Sequence, residues 1–190
     1  MKRGFITLSV LTILSAPALA DVDAAKLMEE GRSIAVKMPP KLLEVLGDEI
    51  RKGGYAEAMV VCRDKAPQMA KSLSEQTGWS IRRVSLKNRN PKAVPDTWER
   101  SVLEDFDRRT AAGEKPTAME KGEIVSEGDK KFYRYMKALP TQDLCLNCHG
   151  TPDRIEPAVQ TKLKELYPDD KAIGYGLEQI RGAITIKKAL

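Results

Sequence analysis

The chain is short of the residues that usually build polar sites. It has one histidine, His149, and three cysteines, Cys62, Cys145 and Cys148, in 190 residues. With a single imidazole, no second histidine is available for a distal acid–base role of the kind a peroxidase needs. Three cysteines cannot close into pairs, so one thiol is always left over. Beyond the first 20 residues no apolar run approaches the roughly 20 residues that cross a bilayer as a helix. No internal repeat and no low-complexity segment occurs, which excludes solenoid and array architectures. No block of basic charge occurs either. The 32 Lys and Arg residues are interspersed with 27 Asp and Glu, a pattern that excludes a nucleic-acid interface.

Against these absences one stretch stands out. Cys145-Leu146-Asn147-Cys148-His149 reads C-L-N-C-H and is followed by Gly150. The C-x-x-C-H run is the attachment signature of a c-type haem. Two thiols three positions apart reach the two vinyl groups on one porphyrin edge and form thioethers. The next residue then lies under the iron, where its imidazole becomes the proximal ligand. The competing chemistries fit less well. A thioredoxin-like pair needs a βαβ context. A structural zinc site needs four ligands, and only Cys62 is left to supply a distant fourth. A Cys145–Cys148 disulfide remains open for a chain without haem. No second haem motif exists.

Residues 1–20 read as a secretory signal. Lys2 and Arg3 form the positive segment, Phe5 to Leu14 the apolar segment, and Ala18-Leu19-Ala20 the cleavage site. The expectation is an exported, periplasmic protein whose mature chain, Asp21 to Leu190, is one domain without a membrane span. That compartment is where covalent haem attachment occurs in bacteria. Losing Lys2 and Arg3 lowers the formal charge from +5 to +3, which two haem propionates would nearly cancel.

The remaining pattern predicts an α+β domain with a mainly antiparallel sheet flanked by N-terminal helices. Asp21 to Lys37 reads as an amphipathic helix broken by Pro39-Pro40, and Lys41 to Arg51 as a second, ended by Gly53-Gly54. Tyr55 to Gln76 reads as a third, bent near Pro67, with Met59, Cys62, Ala66 and Met69 along one face. Trp79 to Leu86 alternates like a strand. Asp96 or Thr97 caps a helix carrying Trp98, Val102, Leu103 and Phe106. Lys121 to Ser126 and Lys130 to Leu139 flank a hairpin signal, Glu127-Gly128-Asp129. Pro157 to Leu166 is a short helix and Ile180 to Lys188 a final strand.

Several of these stretches, taken in order, resemble a family of exported c-type haem proteins with a PAS-like fold. That family includes stand-alone proteins and sensor domains. The resemblance runs from about Ala58 to Ile186. Its pieces are Val61-Cys62 with Ala66-Pro67, Arg82-Arg83-Val84-Ser85-Leu86, Arg89-Asn90-Pro91, Pro95-Asp96 with Trp98-Glu99, the C-L-N-C-H-G run, and Gly174-Tyr175-Gly176 with Ile180-Arg181-Gly182-Ala183. It departs at Ala93, where an asparagine is expected.

The resemblance implies one covalent haem c and a role for Cys62 as the second axial ligand, a thiolate opposite His149. The residues point the same way. With no second histidine, the strong candidates are Cys62 and a methionine (Met59, Met69 or Met136), and thiolate is the better donor to ferric iron. An unpaired, core-facing thiol in an exported protein is otherwise an oxidation liability. Arg82, Arg83 and Arg89 are candidates to pair with the propionates through bidentate forks. Alternation along the strand lets at most one of Arg82 and Arg83 point at the haem. Tyr133, Tyr135 and Tyr175 are candidates for the pocket wall or for ordinary core.

A His/Cys-ligated haem suits two functions. One is redox or small-gas sensing, with nitric oxide or carbon monoxide entering when the thiolate leaves, and with a separate signalling partner. The other is electron transfer to a redox partner. Nothing in the sequence reads as catalytic.

Overall fold

A computed structural model describes residues 23–190. The expected signal segment and its cleavage site lie outside the described residues. Helix α1 (Ala24–Ala35) starts at Asp23, whose carboxylate accepts the Lys26 amide at 2.9 Å. Its buried residues, Leu27, Gly31, Ile34 and Ala35, recur at helical spacing and form one stripe.

Helix α2 (Met38–Val60) takes Pro39 and Pro40 into its first turn, where the missing N–H groups have no helical partner to lose. The prolines therefore start a helix here rather than divide one. The break expected at Gly53-Gly54 is a kink within α2, with Gly54 at φ 77°. Residues Val61–Lys65 form a π-helical turn that leads into α3 (Ala66–Thr77). Pro67 has no N–H to give the Arg63 carbonyl, so the α-ladder opens just ahead of it. One extra residue in the turn rotates α3 by about 100° relative to α2. The expected single face from Met59 to Met69 is thereby split. Met59, Cys62 and Ala66 line the main cavity, while Met69 borders an outer groove with Lys41, Val45 and Lys65.

Strand β1 (Ser80–Val84), helix α4 (Thr97–Ala111), strands β2 (Glu120–Glu127) and β3 (Lys130–Pro140), helices α5 (Asp143–His149) and α6 (Pro157–Leu166), and strand β4 (Ile180–Ala189) complete the chain. The four strands form one antiparallel sheet in the order β1-β4-β3-β2. The fold class is the α+β arrangement that the patterning predicts. Strand β4, the most C-terminal of the four, is an inner one. Gly182, at φ 144°, lets β4 pass so close to β1 that a Cβ there would run into the Val84 carbonyl.

Side chains on the two faces of the sheet build two cores. Ile81, Tyr133, Tyr135, Ile184 and Ile186 pack under α1 and α3. Val84, Met136, Ala138 and Ala183 pack under α4. Tyr133, Tyr135 and Met136 are therefore core residues rather than cavity wall. No helix of the described residues is long and apolar enough to cross a membrane.

Helix α4 is tied to its face by buried charge. Asp96 caps it, and Glu99 returns a bond to the Asp96 amide at 2.9 Å, closing a capping box. The Glu99 side chain is 2% exposed. It is met by the Arg82 guanidinium, by the Thr185 hydroxyl at 3.0 Å and by Arg134 at 3.2 Å. Arg134 also lies over the Trp98 ring at 4.4 Å. Removing one member leaves buried charge unpaired. Glu99→Ala is therefore expected to lower the free energy of unfolding by about 3–5 kcal/mol. Urea denaturation checks this, and a loss below about 1 kcal/mol would show the network to be solvated.

Candidate haem site

The C-L-N-C-H run forms α5, a two-turn helix beginning just after β3 ends. Its place is set by the strands on either side. The Thr141 amide and hydroxyl both donate to the Gln179 carbonyl, at 2.9 and 3.0 Å, and the Glu178 amide donates back to Thr141 at 2.9 Å. At the other end of α5, the Gly174 amide donates to Gly150 at 2.8 Å and the Tyr175 amide to His149 at 2.9 Å. The Gly174-Tyr175-Gly176 run thus clamps the residue after the motif. Gly150 itself has no room for a side chain, because a Cβ would lie 2.5 Å from the Leu146 carbonyl oxygen.

His149 is 8% exposed. Its Nδ1 is 2.6 Å from the Ala172 carbonyl oxygen. A carbonyl only accepts, so Nδ1 carries the proton and Nε2 keeps its lone pair. Nε2 faces a cavity of about 460 Å³ and receives Arg181 Nη1 at 3.1 Å and Arg89 Nη1 at 3.5 Å. Burial, and then the two guanidinium groups, hold the imidazole well below its usual pKa, so it is neutral at pH 7. The Tyr175 ring stands edge-on to the imidazole with centroids 6.3 Å apart. An oriented, unprotonated Nε2 facing a cavity is the form of histidine that ligates a metal.

Cys145 and Cys148 line the same cavity. Burial pushes the Cys148 thiol up to about 11, so it is protonated at neutral pH. Cys62, on the π turn, lines the cavity too, but it is exposed rather than core-facing. Of the methionine candidates, Met59 alone reaches this cavity. The apolar wall comes largely from α2, through Leu42, Leu43, Leu46 and Ile50. Among the described residues, no three His, Cys, Asp or Glu side chains cluster as ligands for a bare metal ion.

The three candidate arginines separate. Arg82 turns its guanidinium to Glu99 and to the Lys92 and Val94 carbonyls at 3.3 and 3.2 Å, on the α4 face. Arg89 is saturated by Asp170 at 2.9 Å, by the Cys148 carbonyl at 2.6 Å and by the Ala172 carbonyl at 3.3 Å. Arg82 and Arg89 thus line the cavity with carboxylate partners already in place. Arg83 lines the cavity and has no carboxylate partner among the described residues. Sequence reasoning assigned no role to Arg181, Asp170 or Ala172. Arg181 stood in a quoted run, but nothing local reveals that β4 brings it to His149. At Ala93, the carbonyl accepts the Ser85 amide at 3.0 Å, a bond that any residue there could make.

The neutral His149 has a consequence for folding in haem-free protein. Its folded pKa lies below the unfolded value of about 6.5. Below pH 6.5 the unfolded chain then binds more protons than the folded one, and stability falls as pH drops through that value. Urea midpoints between pH 8 and 5 are expected to decline in wild type, and to decline less in His149→Leu. Parallel profiles would contradict the burial of the neutral ring.

Comparison with known proteins places this geometry. No curated protein sequence matches the chain. A solved structure, that of the cyanobacterial heme-protein Tll0287, aligns at 25% identity with a TM-score of 0.60, covering 85% of this chain and 94% of the other. The model of the Tll0287-like family matches residues 16–188. The chain belongs to the Tll0287-like family.

Proposed function

We propose that the cavity holds one haem c and that the protein is an exported monohaem sensor of redox state or of a small gas. One observation carries the reading. The Nδ1 bond to Ala172 leaves His149 Nε2 facing a cavity that the thiols of Cys145 and Cys148 also line. The volume, about 460 Å³, falls in the range of roughly 300–1,000 Å³ usual for cofactor sites. Arg181 Nε is buried without a hydrogen-bond partner, and every charged residue lining the cavity is cationic. Both features fit an anionic, largely apolar group. The likeness to a heme-protein over most of both chains supports the same cofactor.

Bound there, a haem would supply a redox-active iron. Cys145 and Cys148 would hold its edge as thioethers, each thiol adding S and H across one vinyl bond. His149 ligates from the α5 side, with its ring fixed by Ala172 and Tyr175. Leu42, Leu46 and Ile50 exclude water. Cys62 is the candidate distal ligand as a thiolate. With a haem bound, protonation of the Cys62 thiolate would weaken its hold on the iron and would release the Val61–Lys65 turn that carries it, leaving room for nitric oxide or carbon monoxide. A turn that closes or opens with its cysteine is a two-state element, and a separate partner protein reads it.

Electron transfer is the second reading. It is favoured by Ile173 and Leu177, which are exposed on the loop behind His149 and offer an apolar contact for a redox partner.

Optical spectra of haem-loaded protein, ferric and ferrous, with and without carbon monoxide, separate the readings. For the sensor, the ferric wild type shows thiolate ligation, Cys62→Ala abolishes it, and the ferrous form binds carbon monoxide. Identical spectra for the two proteins, with no carbon monoxide binding, would remove Cys62 from the iron and leave electron transfer.

A further inference from the structure

We propose that Arg83 and Arg181 form a paired carboxylate-binding site in the cavity wall, and that this pair receives the two propionates of the haem. The inference rests on the haem reading above and assigns its anionic end. It replaces two of the arginines that the strand and loop sequences suggest for that role.

The argument starts from the charges on the cavity wall. All are lysine or arginine, and most are already engaged. Arg82 is held by Glu99, Arg89 by Asp170 and Lys71 by Glu75. Lys87 donates to the Ile173 carbonyl at 2.7 Å and lies over the Tyr175 ring at 4.4 Å. Arg83, Arg181 and Lys92 have no carboxylate among the described residues, and of these Lys92 is exposed whereas the two arginines are half-buried. Arg83 Nη2 reaches only the Arg181 carbonyl, at 3.4 Å. Arg181 gives one N–H to His149 Nε2 at 3.1 Å, and its buried Nε has no partner.

Two guanidinium groups thus line one cavity, with Arg83 Nη2 3.4 Å from the Arg181 carbonyl, partly desolvated and without a carboxylate partner among the described residues. Burial, with Arg181 beside it, disfavours the charge on Arg83. Such a pair destabilises the fold by itself and is stabilised by an anion that both can grip. Arginine presents its donors as a rigid fork matched to carboxylate. Two forks on neighbouring strands suit two carboxylates carried on one edge of a flat ligand. Arg181 has a second task in this arrangement. Its N–H covers the lone pair that iron requires, so seating the haem must draw the guanidinium off His149 Nε2, and a propionate is the acceptor that draws it.

The test compares two porphyrins on the full chain prepared without covalent haem: ferric protoporphyrin IX and its dimethyl ester. The ester keeps the ring, the iron and the vinyl groups and loses both carboxylates. Wild type is expected to bind the free acid far more tightly than the ester. Arg83→Gln and Arg181→Gln are each expected to cut that preference roughly tenfold, the double variant to abolish it, and Arg→Lys at either position to restore part of it. Arg82→Gln, one residue away on the other face, is expected to leave the ratio unchanged.

If the Gln variants weaken acid and ester alike, the arginines serve structure only and the inference fails. If wild type binds acid and ester equally, the inference fails while the haem reading stands. If wild type binds neither and carries no haem when exported, both fail. Circular dichroism of the Lys variants, which keep the charge, guards against reading misfolding as lost recognition.

Discussion

The hydrogen bond from His149 Nδ1 to the Ala172 carbonyl is the constraint on which the site depends. A histidine at a cavity wall is ambiguous until its tautomer is set, and a carbonyl sets it. The bond needs Ala172 to be immobile. Its amide donates to Asp170 at 2.8 Å, and Asp170 also holds Arg89. Arg89 in turn grips the Cys148 and Ala172 carbonyls. Helix α5 and the loop before β4 are thereby one rigid piece, sewn together by a buried ion pair that binds backbone on both sides. A buried Arg–Asp pair adds little stability relative to apolar packing, but it orients what it touches.

The sheet divides labour between its faces. Successive residues of β1 point opposite ways, so Arg82 and Arg83 end in different environments although they are adjacent and chemically identical. Arg82 meets Glu99 and anchors α4. Arg83 meets the cavity. One strand thus supplies a structural cation and a binding cation from neighbouring positions. Glu99 unites three cationic or hydroxyl donors on its face. The cavity on the other face keeps Arg83 and Arg181 without a carboxylate among the described residues, a polarity that suits an anionic guest.

The wall opposite α5 is built differently. Helix α2 is kinked at Gly54, and a π turn separates it from α3. Such turns open the backbone ladder and mark places where a helix can change register. Cys62 lies in this turn, exposed on the cavity wall. The rigid histidine side and the irregular cysteine side give the cavity one fixed wall and one adjustable wall. That asymmetry serves a sensor better than a carrier, which gains from a site that does not change with redox state.

The sequence by itself determined the periodic elements and the C-L-N-C-H motif. Hydrophobic spacing, glycine and proline punctuation and the Asp96–Glu99 capping box are local signals, and they account for α4, α6, the β2–β3 hairpin and β4. The C-x-x-C-H run is local too, because two thiols and an imidazole must meet one ligand edge. Local signals were least reliable at prolines. Pro39-Pro40 and Pro67 can end a helix or begin one, and only the neighbouring turns decide which. Tertiary structure alone decided which arginine of the cavity wall is left without a carboxylate, because an arginine's role depends on where the nearest carboxylate lies. Asp170 is 81 residues from Arg89, and Glu99 is 17 from Arg82. It alone also brought Arg181 and Ala172 to His149, since an antiparallel sheet joins residues by register across the fold, and no local pattern encodes that distance.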